Sequence, residues 1–355
     1  MKSDDQLNAL RTESQSRPLS RRDFMQVATV AAAAGPGLAA TAFAGFSLTR
    51  SQRAEAAEVI VQGLGKLPKV KFGTKMDNMM VTRTCICQDW NADLFAPAVE
   101  LGINFIHKAG YWGRRGPVPD AIKALPRESY YTDITVDNTP RNPDNFDAAY
   151  NQVTQSLEAN GLKYYDIFRA HFGWRGLEAF NGGDNASYKA FLKLKKEGKV
   201  KYFGVSQHPY AKTVDASGGI SYPEKADRYA EIIQAEIDSG LIDCMQVWYS
   251  YGYPKGAEEV FAKASAAGIG MTAMKIYAHG NDKMRADSAR LQELKAGDQV
   301  GRALIRQVMT TKRSDGKPIF HTCVSNLHNQ AIFEENIGGV SPKVAALDGF
   351  EEYLA

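Results

Sequence analysis

Cys85, Cys87, His107, Asp133 and His171 are the residues of this 355-residue chain best suited to chemistry. The Cys85-Ile86-Cys87 spacing puts two thiols at i and i+2, and such residues share one face of a strand. His107, Asp133 and His171 fall at the ends of later strand-like runs. Two imidazoles and a carboxylate form the ligand set of non-haem iron sites, and thiolate with imidazole suits copper or zinc. A transition-metal centre of His107, Asp133, His171, Cys85 and Cys87 is therefore one reading. Plain packing is the other. Free Cys packs as a small hydrophobe, and Cys244 reads as core. His107 can pair with Asp133, or Asp133 with Arg169, as satisfied buried polar groups. Both readings stay open.

The elements that position these residues alternate. Lys69–Phe72 and Asn78–Thr82 flank a turn and predict a hairpin. Strand-like runs follow at Thr84–Cys87, Asn104–Lys108, Tyr130–Thr135, Asp166–His171, Tyr202–Ser206, Cys244–Tyr249, Gly270–Lys275 and Ile319–Val324. Helical stretches lie between them, at Leu94–Leu101, Phe146–Asn160, Tyr188–Glu197, Pro223–Ser239, Ala257–Ala267 and Ala286–Thr311. Gly161, Gly198, Gly240 and Gly268 stand where helix C-caps are expected. This α/β order predicts a (β/α)₈ TIM barrel with an N-terminal β-hairpin. A doubly wound open sheet lacks its Gly-x-Gly-x-x-Gly after the first strand. Barrel sites form at the C-terminal strand ends, so Gln207 or His208, Gln246, Lys275 and Cys323 join the candidates. The first and last barrel strands adjoin, so a disulfide from Cys85 or Cys87 to Cys323 is another option.

Residues 1–57 read as a signal segment and linker, and 58–355 as the barrel domain. Ser20-Arg21-Arg22-Asp23-Phe24-Met25 precedes an Ala-rich run, and Ala54-Glu55-Ala56 offers a cleavage site. This pattern is similar to a twin-arginine signal, which implies the translocase as a transient partner and a periplasmic or extracytoplasmic address. Lys and Arg number 43 against 40 Asp and Glu, a net +3, which leaves no broad footprint for nucleic acid. Beyond the N-terminal region no apolar run is long enough to span a membrane, so no stable insertion is expected after cleavage. Four cysteines are too few for a disulfide scaffold.

From about Lys69 to Gly338 the chain resembles the aldo-keto reductase superfamily. The resemblance rests on Leu101-Gly102-Ile103-Asn104-Phe105, on Leu162-Lys163-Tyr164-Tyr165-Asp166-Ile167 leading to His171, and on Glu197-Gly198-Lys199-Val200 before Phe203-Gly204-Val205-Ser206. Gln246-Val247-Trp248-Tyr249, Ala273-Met274-Lys275 and Glu334-Glu335-Asn336 extend it. It implies NADPH-dependent carbonyl reduction by an Asp, a Tyr, a Lys and a His. The corresponding positions here hold His107, Trp112, Asp133 and His171, so only the His persists. Indole is no acid like phenol, and a carboxylate cannot depress a neighbouring pKa as an ammonium does. Ser206, Gln246, Tyr249 and Asn336 match positions that hold the carboxamide, the nicotinamide ring or adenine in that family. The phosphate clamp is missing, since Asn326–Asn336 contains no Lys or Arg.

The sequence thus points to redox chemistry on a small molecule at a rebuilt mouth centred on His107, Asp133 and His171, with a site for iron, copper or zinc as one reading of that mouth. One rival is an NADP(H)-dependent carbonyl reductase with a changed tetrad. Another is a non-catalytic binding or assembly protein on the same scaffold. Around the mouth, His208 reads as a lining residue, Trp112, Trp248, Tyr249, Tyr251 and Tyr253 as an aromatic cluster, and Phe172–Asn185 as a flap. His279 reads as solvent-facing, and His321 has no assigned place.

Overall fold

A computed structural model describes residues 27–28, 64–90, 92–108, 124–137, 145–171, 182–209, 213–214, 220–221, 226–277, 281–327 and 330–350. The segment expected to direct export lies outside the described residues apart from Val27 and Ala28. The strands are β1 (Lys69–Lys71), β2 (Met80–Thr82), β3 (Thr84–Trp90), β4 (Phe105–Lys108), β5 (Tyr131–Asp137), β6 (Tyr165–His171), β7 (Val200–Gln207), β8 (Thr213–Val214), β9 (Ile220–Ser221), β10 (Cys244–Trp248), β11 (Gly270–Met274) and β12 (Thr322–Leu327). The helices are α1 (Ala92–Glu100), α2 (Phe146–Asn160), α3 (Ala186–Lys196), α4 (Ala226–Asp238), α5 (Glu258–Ala266), α6 (Asn281–Ala286), α7 (Ser288–Glu293), α8 (Val300–Thr310), α9 (Gln330–Val340) and α10 (Pro342–Leu347).

Eight parallel strands close in the order β3-β4-β5-β6-β7-β10-β11-β12, which is the expected (β/α)₈ barrel. β1 and β2 form the expected antiparallel hairpin. Alternation along the strands sorts side chains to the two sides of the wall. Ile86, Ile106, Ile134, Phe168, Phe203, Met245, Met271 and Cys323 face outward into the layer shared with the helices. Cys85, Phe105, Ile167 and Cys244 face inward and meet Phe72, Met76, Met79 and Val81 of the hairpin, which plug the barrel floor. Gly270 is required by that plug, because a Cβ there would stand 2.5 Å from Met76 Cε and 3.2 Å from the Phe72 ring.

Helix ends follow their capping residues. Asn145 accepts from Asp147 N at 2.9 Å and from Ala148 N at 3.2 Å to start α2, and Gly161 (φ 62°) ends it in the left-handed region. Ala149, Val153 and Leu157 recur at four-residue spacing and bury one stripe of that helix.

Three expectations shift. The long helix foreseen over Ala286–Thr311 breaks into the end of α6, α7 and α8, with Lys295 (φ 52°) and Gly297 (φ 60°) turning the chain. β5 continues to Asp137, so Asp133 lies mid-strand rather than near the strand end. A small hairpin, β8 with β9, stands in the connection after β7. Among the described residues no helix is long and apolar enough to cross a membrane.

Candidate active site

The inner wall carries two polar levels. The lower one joins β4, β5 and β6. His107 and Asp133 are direct partners in the β4–β5 ladder. His107 Nδ1 lies 2.8 Å from Asp133 Oδ1 and 2.8 Å from Oδ2. Arg169 Nη1 donates to Asp133 Oδ2 and approaches His107 Nδ1 at 3.0 Å. Asp133 and Arg169 are completely buried. Burial alone pushes the Asp133 carboxyl up, but Arg169 and His107 outweigh it and hold the group below the usual carboxylate range. The guanidinium also lies beside the Cys244 thiol, which burial pushes up to about 12 despite the cation.

The upper level stands one inward step along β6, about 7 Å, above Arg169. His171 ends β6 and pairs in register with Ser206. Its Nε2 is 3.3 Å from His208 Nε2, with the two rings edge-on at 81°. Trp248 closes on His208 from β10, ring centroids 5.6 Å apart. Burial first, then His171 and Lys275, push the His208 imidazole well below its ordinary value, so it is neutral at neutral pH.

Between these groups runs a continuous polar row. Register links His171 to Ser206, Ser206 to Gln246, Gln246 to Thr272, and Thr272 to Thr322. Because barrel strands tilt, this row winds from the mouth toward the floor. Gln246 Nε2 is satisfied only weakly, by Met274 Sδ at 3.2 Å. Gln246 Oε1, Thr272 Oγ1 and Thr322 Oγ1 are buried with no partner among the described residues. Orphaned buried acceptors of this kind mark a place for a polar ligand or water.

Of the five expected metal ligands, the four with described side chains do not converge. Among the described residues no group of three or more His, Cys, Asp or Glu side chains could hold a metal ion. The cation that neutralises Asp133 is Arg169, and its guanidinium stands against both His107 and Asp133 where a metal would have to sit. His171 turns to His208 instead. Cys85 lies in the apolar floor with Phe72 and Phe105. The Cys87 side chain lies outside the described residues; its backbone pairs with His107. Cys244 and Cys323 are free thiols. A Cys85–Cys323 bond is prevented by geometry, since Val324 pairs with Cys85 and Cys323 faces the other side of the wall.

Other expected positions separate by face. Ser206 and Gln246 line the interior. Tyr249 does not: its hydroxyl donates to Glu258 and its ring packs 4.9 Å from Phe320 outside the wall, so it cannot stack on a ligand in the mouth. Asn336 is buried on α9 and accepts from the Tyr277 hydroxyl. His321 belongs to the floor, accepting from Met271 N at 3.0 Å beside Phe72, and burial lowers it to about 4. Trp112, His279 and residues 172–181 of the foreseen Phe172–Asn185 flap lie outside the described residues. His208 emerges as a direct partner of His171, beyond the lining role its place after Ser206-Gln207 suggested.

Comparison with protein families matches residues 88–292 to the aldo/keto reductase family. The solved structure of an aldo/keto reductase from Brucella melitensis superposes with a TM-score of 0.55 at 17% identity, over 81% of this chain and 99% of that one. A Bombyx mori aldo-keto reductase in complex with NADP gives 0.52 at 15% identity, over 80% and 93%. The holo form of a Bacillus halodurans aldo-keto reductase gives 0.52 at 14%, over 81% and 95%. A comparison with curated protein sequences finds no match.

Proposed function

The chain belongs to the aldo/keto reductase family, and from that premise we propose that it is an exported oxidoreductase acting on a small molecule at the barrel mouth, with a nicotinamide dinucleotide as its hydride carrier. The observation that carries this reading is Gln246 Oε1, a buried acceptor without a partner among the described residues, in register with Ser206. An amide oxygen beside a hydroxyl fits a carboxamide, whose N–H groups the first accepts and whose oxygen the second can bond. The nicotinamide, when bound, supplies or accepts hydride.

The chain's own residues do the rest. Ser206 and Gln246 hold and orient the carboxamide. His171, pinned at the end of β6, polarises the substrate oxygen with a ring N–H. Trp248 and Met274 wall the site and exclude water. Asn336 and the helix α9 mark the adenine end. With no Lys or Arg in Asn326–Asn336, nothing there favours a 2′-phosphate, so NADH and NADPH are expected to bind with similar affinity. The paired Arg21-Arg22 before the Ala-rich run supports export.

Titration of the purified protein with NADH and NADPH, read by tryptophan fluorescence, tests the carrier. Quenching that weakens about tenfold in Gln246→Met supports the reading. No binding of either nucleotide sinks it. Retention in the cytoplasm of an Arg21→Lys/Arg22→Lys variant tests the export route.

A further inference from the structure

We infer that Arg169 and Asp133 lock His107 in its Nδ1–H tautomer, leaving Nε2 as the ring atom through which His107 exchanges a proton with a molecule in the pocket above. The assignment of that proton to carbonyl reduction rests on the family reading; the tautomer lock does not.

The argument begins with the carboxylate. Both Asp133 oxygens lie 2.8 Å from His107 Nδ1. A bare Nδ1 would aim its lone pair at an anion, whereas a protonated Nδ1 donates a charge-assisted bond. Arg169 Nη1 also stands 3.0 Å from Nδ1, but the same nitrogen already donates to Asp133 Oδ2. A guanidinium is a donor only, so it cannot satisfy a donating ring nitrogen. The arrangement is consistent when both donors share the carboxylate. Arg169, together with His107, holds that carboxyl below the usual carboxylate range.

Exposure separates the imidazole from its two partners. Asp133 and Arg169 show no accessible surface, whereas His107 retains 3%. The ring, not the carboxylate, therefore reaches beyond the lower level. Its place matters because the sequence holds Trp112 where the family holds its tyrosine proton donor. Were a nicotinamide bound and supplying hydride to a carbonyl carbon, His107 Nε2 would be the ring atom that passes a proton to the substrate oxygen, directly or through one water. The product would be the alcohol, and the proton passed on through Nε2 would be replaced from solvent with Nδ1–H kept in place throughout. Asp133 and Arg169 act here as positioning residues.

Nitrogen-15 NMR of histidine-labelled protein reads the tautomer with no substrate present, and His107→Gln assigns the signal. The wild type is expected to show Nδ1–H with an unprotonated Nε2. In Asp133→Asn the amide oxygen must turn to Arg169, so its NH₂ faces His107 and the ring should switch to Nε2–H. An Nε2–H tautomer in the wild type overturns the inference even if the variant fails to fold, and so does an unchanged tautomer in a folded Asp133→Asn. Where a nicotinamide binds, His107→Gln should lower kcat by about 10² to 10⁴ with nucleotide affinity unchanged; a wild-type kcat in that variant overturns the proton role. Failure of both nucleotides to bind would strike the family reading and leave the tautomer result standing.

Discussion

Gly204 stands opposite Arg169 in the β6–β7 ladder, and opposite Cys244 in the β7–β10 ladder. A missing side chain thus sits between the buried cation and the thiol beside it. A Cβ at 204 would lie 2.6 Å from Cys244 Sγ and 3.1 Å from its carbonyl oxygen. Gly204→Ala is expected to destabilise the fold by about 1–3 kcal/mol through overpacking. Urea unfolding checks it, and a paired Cys244→Ala should recover part of the loss.

Asp133 links stability to acid. Its folded value is depressed below the unfolded value of about 3.8, so its contribution is full above that pH. The contribution is lost as pH falls through the folded value. Asp133→Ala leaves Arg169 buried without its counter-ion and should cost about 3–5 kcal/mol at pH 7. Thermal melts from pH 7 down to pH 2 should show the gap between wild type and variant closing at the acid end.

Glu236 on α4 works in the opposite direction. It is buried, accepts from Gln207 Nε2, and burial raises it to about 8. The folded state therefore keeps a proton that the unfolded chain releases near pH 4.5. Stability from this group is complete below that pH and declines as pH rises toward 8, by up to about 1.4 kcal/mol per unit. Glu236→Gln keeps the carbonyl acceptor and should abolish that slope. Chemical denaturation at pH 5, 6.5 and 8 measures it.

Cys85, Cys244 and Cys323 are buried, and burial pushes both the Cys244 and Cys323 thiols up to about 12. Thiolate is the reactive form, so all three should resist iodoacetamide in the native state and react once unfolded. Peptide mapping after alkylation, with and without urea, decides this. Native labelling at Cys323 would contradict the outward-packed placement.

The order of strands and helices, the hairpin and the closed barrel were legible from the sequence, because period-2 and period-3.6 patterns and capping residues are local. Asn145 and Gly161 bound α2 through contacts within a few residues. The pairing of His107 with Asp133 was legible as one of two options, since both fall on neighbouring strands. What stayed hidden was which option holds. The choice depends on a cation delivered from a third strand: Arg169 occupies the space where the metal was expected, and only the register of β5 on β6 puts it there. Tyr249 differs, because it stands three residues after the inward Gln246, so strand alternation alone places it on the opposite side of the wall, against Phe320 and Glu258. The sequence by itself determined the barrel and the order of the elements that build it. Tertiary structure decided their partners, since register, strand tilt and face are relations between segments far apart along the chain.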